Sequence, residues 1–178
     1  VAIPEAWQGY DVAVYNAEGK RVESAADMEY ISFVADVPSF GYTSYRLQKL
    51  NDRVAPEVAN QDDCIENDMY RIRVDASRGG AISELIARQG GKSFDYVDKN
   101  AERAMGELYG HFYDQQKFCS STESPARVTV GRRGDLEQWL LIEGTISSHP
   151  FSQRITIRKG SPAIDIDLKI DWQHNEGI

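Results

Sequence analysis

From Arg154 to Trp172 apolar and polar residues alternate with a period of two, which fits a half-buried strand and not an amphipathic helix. Ile155 and Ile157 share one face, as do Ile164, Ile166, Leu168 and Ile170. Between the two runs lies Lys159-Gly160-Ser161-Pro162, which has turn chemistry. A loop of those four residues pairs Arg158 with Ala163. It then sets Ile157 opposite Ile164, Ile155 opposite Ile166, Arg154 opposite Asp167 and Thr156 opposite Asp165. A slip of one residue would put isoleucine against charge, so the register is firm. Pro162 falls in the loop, where its missing donor costs nothing.

The same period organises most of the chain. Val12 and Val14 alternate with Asp11, Ala13 and Tyr15 before a turn at Asn16-Ala17-Glu18-Gly19-Lys20. Ile31, Phe33, Ala35 and Val37 predict a strand ended by Pro38, and Gly41 marks the corner before Tyr42 to Leu47. Residues 1–50 therefore read as a small β unit. Residues 51–63 are polar and aperiodic and read as a linker. A second region, 64–178, opens with Tyr70, Ile72 and Val74 on one face and Met69, Arg71, Arg73 and Asp75 on the other. Ser77-Arg78-Gly79-Gly80 and Gly90-Gly91 turn the chain on either side of a return strand. Residues 93–125 are the least regular. A short helix over Ala101 to Leu108, limited by Gly106 and Gly110, and a long loop both fit there. Arg127 to Val130 and Leu136 to Ser147 are further strands, and Leu140-Leu141-Ile142 suggests burial on both faces. Short strands, glycine turns and little helix predict an all-β fold of antiparallel sheets packed as a sandwich.

Composition narrows the partners. The 178 residues are 41% hydrophobic, enough for a packed core, and carry a net charge of −8. An acidic surface repels phosphate, so nucleic acid and anionic membranes are excluded as expected partners, while a neutral sugar is not. No stretch approaches transmembrane length, and the start and end are read as cuts inside a longer protein. Cys64 and Cys119 are expected to be free thiols. With no CxxC pair and no Asn-x-Ser/Thr acceptor, this leans toward a reducing compartment, a bacterial cytoplasm.

No group of residues forms a catalytic constellation. His111, His149 and His174 lack ligand spacing such as HExxH, and His111-Phe112-Tyr113-Asp114 reads as a polar loop. Asp165, Asp167 and Asp171 share a strand face, which two carboxylates would need for glycosidase chemistry. Arg154 opposite Asp167, with Lys169 between the acids, favours a salt-bridged surface. Trp7, Trp139, Trp172, Tyr42 and Tyr45 are candidates for stacking on sugar rings. Core is the expected place of Trp139 and Trp172, and the role of Trp7 is open. Ser120, Ser121 and Ser124 sit in no GxSxG elbow, and Gly79-Gly80 joins two β segments and is no phosphate cradle.

Several segments resemble the region after the catalytic domain of family 38 glycoside hydrolases, the α-mannosidase type. Val37-Pro38-Ser39-Phe40-Gly41-Tyr42 looks like the family's "VPxxGY". Ile65-Glu66-Asn67-Asp68-Met69-Tyr70-Arg71 carries its "ENDxYR", followed by Gly79-Gly80-Ala81-Ile82-Ser83-Glu84-Leu85. Lys159-Gly160-Ser161-Pro162-Ala163-Ile164-Asp165 and Asp171-Trp172 are similar to its hairpin, whereas Gly106-Glu107-Leu108 departs from an expected "NEL". The resemblance implies a small β unit followed by part of a galactose-mutarotase-like sandwich. Whole members hydrolyse terminal α-mannosides with retention. They use an aspartate nucleophile and a divalent metal, usually zinc, in an N-terminal barrel that this sequence does not contain. No catalytic residue, metal ligand or cofactor is thus expected here. The implied partners are the barrel of the same polypeptide, its mannoside substrate and, through self-association, a second copy. An autonomous carbohydrate-binding module and a mutarotase-like or lyase-like enzyme are the competing readings.

Overall fold

A computed structural model describes residues 1–26, 29–53, 63–113 and 115–172, with the backbone alone for 51–53. The regular elements are β-strands. Among the described residues the helical pieces are three 3-10 turns, Glu5–Trp7, Ala76–Arg78 and Ser121–Glu123. The fold is all-β, and every strand pair with a recorded register is antiparallel. The chain forms two compact units: Val1–Val58 with Arg132–Glu137, and Ala59–Gly131 with Gln138–Ile178.

The first unit contains β1 (Tyr10–Tyr15), β2 (Arg21–Val22), β3 (Ser24–Ala26), β4 (Ile31–Phe33) and β5 (Arg46–Arg53). β2, β1 and β5 make one sheet in that order, and β3 pairs with β4. Asn16 closes the β1–β2 turn by accepting the Lys20 amide on its side chain at 2.8 Å. Ile3, Val12, Val14 and Ile31 form the core, and Trp7, Phe33, Tyr45 and Leu47 pack around it. The strand expected to run from Ile31 to Val37 stops at Phe33, because its partner β3 is only three residues long. Val34 and Val37 are exposed, and the strand expected from Tyr42 begins at Arg46. Of the expected linker, 51–53 continue β5, and 54–62 lie outside the described residues.

The second unit has two four-stranded sheets. One runs β6 (Cys64–Glu66), β7 (Tyr70–Asp75), β8 (Ala81–Gln89), β9 (Lys92–Asp95). After the hairpin of β10 (Tyr109–Phe112) and β11 (Lys117–Ser120), the other runs β12 (Arg127–Arg133), β13 (Glu137–Ile146), β14 (His149–Arg158), β15 (Ile164–Ile170). Ile65, Ile72, Val74 and Ile82 from the first sheet meet Val130, Leu140, Ile142, Phe151, Ile155 and Ile157 from the second in one core. This core has ten buried side chains among the described residues and the first unit's core cluster has four, so most of the hydrophobic stabilisation lies in this unit. Each fully buried side chain of this size contributes about 1.5–3 kcal/mol.

The β14–β15 register is the expected one along the paired strands: Ile157 opposite Ile164, Ile155 opposite Ile166, Arg154 opposite Asp167 and Thr156 opposite Asp165, with β15 starting at Ile164, one residue after the expected Arg158–Ala163 pair. Gly79 and Gly80 both take positive φ. A Cβ on Gly80 would lie 2.3 Å from Ile142, and one on Gly79 would lie 2.0 Å from the Ser121 carbonyl oxygen. The corner is thus fixed by close approach as well as by φ. Of the two readings of 101–108 the loop is correct, with Met105 bridged to Ile82 and Gly106 at φ 76°. Burial on both faces of Leu140-Leu141-Ile142 is only half met, because Leu141 is partly exposed.

Candidate functional site

A polar cluster lies at the junction between the β6–β7 turn and the β14–β15 loop. Asn67 accepts the amides of Met69 and Tyr70 on its side-chain oxygen at 2.9 and 2.7 Å, an Asx turn that starts β7. Its side-chain amide donates to the Arg158 carbonyl at 2.9 Å, and the Tyr70 hydroxyl donates to the Pro162 carbonyl at 2.8 Å. Arg88 donates to the Asn67 carbonyl at 2.8 Å and pairs with Glu66. Glu66 also exchanges bonds with Gln138 on β13. Every member either satisfies a backbone group or neutralises a charge, so this cluster is a clasp between two sheets and has no group left to act on a substrate.

A shallow groove of about 550 Å³ opens elsewhere on the same unit, lined by Pro125, Glu143, Thr145, Ser152, Lys169 and Asp171. Its floor is Phe151 against Gly144, where a Cβ would come within 2.9 Å of the ring. Glu143 lies 3.9 Å from Arg127. Two carboxylates, an ammonium and two hydroxyls facing open solvent can hydrogen-bond a polyol. The groove lacks the enclosure that general acid–base catalysis uses to shift pKa values.

The titratable residues with shifted behaviour are structural. The Ser77 hydroxyl, with its amide, lowers Asp75 at the Gly79-Gly80 corner, and the Val97 and Leu85 amides lower Asp95. Glu107 is nearly buried. Burial pushes its carboxyl up, but the Ser120 hydroxyl at 2.6 Å, the Ala104 amide at 2.8 Å and Arg103 outweigh burial and hold it below the ordinary glutamate range. Ser120 caps the Ser121–Glu123 turn in a capping box, and Ser121 accepts the Leu108 amide at 3.0 Å, so both serines hold the loop.

The other candidates are dispersed. His111 packs edge-on against Tyr113 and Phe118, while buried His149 stacks on Phe112, which points from the opposite face of β10. His174 and Asp114 lie outside the described residues. No group of three or more His, Cys, Asp or Glu converges as a metal site among the described residues. Asp165 pairs with Arg158. Arg154 sits 4.2 Å over the Trp139 ring, which it covers on the outer face of the sheet. Trp139 is therefore not a core residue. Gly131 makes room for it, since a Cβ there would fall 2.2 Å from the indole. Trp172 is not core either: it is 54% exposed, although His149 lies against it. Trp7 and Tyr45 pack on the first unit's core, and Tyr42 is 92% exposed. Both cysteines are free thiols, Cys119 buried and Cys64 partly so.

The β10–β11 hairpin was not visible as such in the sequence. Its exposed face is a row of aromatics, with Tyr109 stacked on Phe118 at 5.2 Å and Arg103 over Tyr109 at 3.4 Å. Both faces of Tyr109 and one face of Phe118 are thereby occupied, so the row offers no flat platform to a sugar ring.

The unit is antiparallel and all-β, and the polar residues described above hold its loops and sheet ends. The model of the glycosyl hydrolases family 38 C-terminal domain matches residues 65–178, and the chain belongs to that family, as a non-catalytic part of its members. Neither a curated protein nor a solved structure matches the chain.

Proposed function

We propose that this chain is the support domain of an α-mannosidase, a retaining hydrolase of terminal α-D-mannosides. In this reading the second unit is part of a galactose-mutarotase-like β-sandwich that buttresses the catalytic barrel of the same polypeptide and shapes the rim of its active site. The observation that carries the reading is the family match over residues 65–178. The single core formed by two facing four-stranded sheets supports the sandwich. Phe40 and Tyr42, almost fully exposed on the loop after β4, are the kind of apolar surface that a neighbouring domain covers. In this reading the parent's divalent metal, zinc, is held by the barrel. Two free cysteines fit a reducing compartment, and we take the parent to be a bacterial cytoplasmic enzyme.

The test is hydrolysis of p-nitrophenyl α-D-mannoside with added zinc. The isolated chain is expected to be inactive, the complete gene product active, and the product lacking residues 65–178 inactive or unstable. Turnover by the isolated chain would overturn the reading. The groove beside Glu143 and Asp171 favours a second reading, an autonomous carbohydrate-binding module. Saturable binding of methyl α-mannoside to the isolated chain, lost in Asp171→Asn, would support that reading.

A further inference from the structure

The loop between β4 and β5 turns its largest side chains into solvent. Phe40 is 112% and Tyr42 92% exposed, and Val34 and Val37 on the same loop are each more than half exposed. The backbone that carries them is braced. The Tyr45 hydroxyl accepts the Asp36 amide at 2.7 Å and donates to the Asp36 carbonyl at 3.2 Å. Inside that clamp the Gly41 amide donates to the Pro38 carbonyl at 3.1 Å, which closes a tight turn over Pro38-Ser39-Phe40-Gly41. The turn is compact, since a Cβ on Gly41 would lie 2.7 Å from the Pro38 ring.

Phe40 takes the third position of this turn with φ 57°. Glycine adopts that left-handed conformation without strain, and a bulky aromatic residue does not. At its degree of exposure the Phe40 ring makes no packing that offsets the strain. A strained residue persists where its surroundings hold it, and such residues gather at binding sites. A single exposed aromatic ring on a braced loop has the form of an anchor that enters a partner's pocket.

Charge and area select the partner. Asp36 is the one charged residue in 34–45, and no lysine or arginine is present there to hold an anionic lipid surface. The four apolar side chains together expose about 600 Å², for an interface of about 1,200 Å² counted over both sides. That area lies within the roughly 600–1,500 Å² of contacts between domains of one chain. It is at the bottom of the roughly 1,200–2,000 Å² that separate chains bury in a stable complex. A tethered partner needs less contact, because the link raises its effective concentration.

We propose that Phe40 anchors the first unit in an uncharged apolar pocket of the catalytic barrel of the same polypeptide, with Val37 and Tyr42 at the rim of the contact. The inference rests on the reading of this chain as the support domain of a barrel enzyme.

The experiment is hydrogen exchange over residues 34–45 in the isolated chain and in the complete gene product, with hydrolysis of p-nitrophenyl α-D-mannoside measured alongside. The loop is expected to exchange at least about tenfold more slowly in the complete product, and Phe40→Gly to remove most of that difference. In the isolated chain Phe40→Gly relieves the left-handed strain and is expected to raise the melting temperature by about 2–4 °C. Equal exchange in the two contexts would overturn the proposal, as would protection that survives Phe40→Gly or a lower melting temperature in the isolated variant. Protection that grows with the concentration of the isolated chain would assign the surface to a second copy and also overturn it. An active product with an unprotected loop would leave the mannosidase reading standing and remove the anchor. An inactive product with a protected, Phe40-dependent loop would do the reverse.

Discussion

The side-chain amide of Asn67 donates to the carbonyl oxygen of Arg158 at 2.9 Å across 91 residues of chain. The same side chain's oxygen accepts two amides at the start of β7. One residue thus starts a strand of one sheet and anchors the turn of the other. Asn67→Ala removes three hydrogen bonds and is expected to cost roughly 1–3 kcal/mol, read as a lower urea midpoint with unchanged slope. Asn67→Asp keeps the acceptor of the Asx turn and loses the donor to Arg158, so its loss is expected to be smaller.

Gly80 and Gly91 have nearly the same φ, 74° and 75°. A Cβ on Gly80 would meet Ile142 at 2.3 Å, and one on Gly91 would meet nothing within 4 Å. Gly91→Ala is expected to cost about 1–2 kcal/mol, for the left-handed conformation alone. Gly80→Ala adds about 1–3 kcal/mol of overpacking against a fully buried isoleucine. Denaturant melts of the two variants separate backbone strain from steric exclusion. Equal losses would show that the Gly80 corner relaxes around the methyl.

Glu107 links folding to pH. Its carboxyl is held below the ordinary glutamate value of about 4.3. A depressed folded-state pKa gives stability that is fully present above the unfolded-state value and lost as pH falls through the folded-state value. The expected result is a fall in melting temperature below about pH 4.3 that is shallower in Glu107→Gln. The glutamine variant should be less stable at pH 7, where the charged hydrogen bonds from Ser120 and Ala104 are strongest.

Leu136 is buried at the tip of the β12–β13 hairpin and belongs to the first unit. Leu136→Ala is expected to cost roughly 2–5 kcal/mol. Hydrogen exchange should show the lost protection in β1 and β5 more than in β14. A loss concentrated in β14 would show that the hairpin tip does not serve the first unit.

The clearest parts of the sequence were those where side-chain parity and turn chemistry agreed. The β14–β15 register followed from Ile155, Ile157, Ile164 and Ile166 with one four-residue loop, and the pairings from Arg154–Asp167 to Ile157–Ile164 are as expected. The β10–β11 hairpin gave no such signal. Tyr109, His111 and Phe112 put rings on both faces, and the turn's positive φ falls on Gln116 where a glycine would have announced it. Parity also identified the face of Trp172 and Ile166 but not whether a second sheet lies over it. Trp172 was expected inside, and both residues are exposed. Trp139 was misplaced for a related reason: beside an apolar run it looked like core, but on the outer face Gly131 and Arg154 together cover it. The clasp at Asn67 was legible as a motif. Its reach to Arg158 and Pro162 was not, because contacts between distant turns leave no period in a sequence.

Because Arg132–Glu137 complete a unit whose other residues are Val1–Val58, assembly order and synthesis order differ. A ribosome adding about 5–20 residues per second finishes the first strands several seconds before it delivers the hairpin tip they need. During that interval the early strands are exposed to chaperones without their last structural element. A protein split between the two units would leave its N-terminal piece permanently in that state.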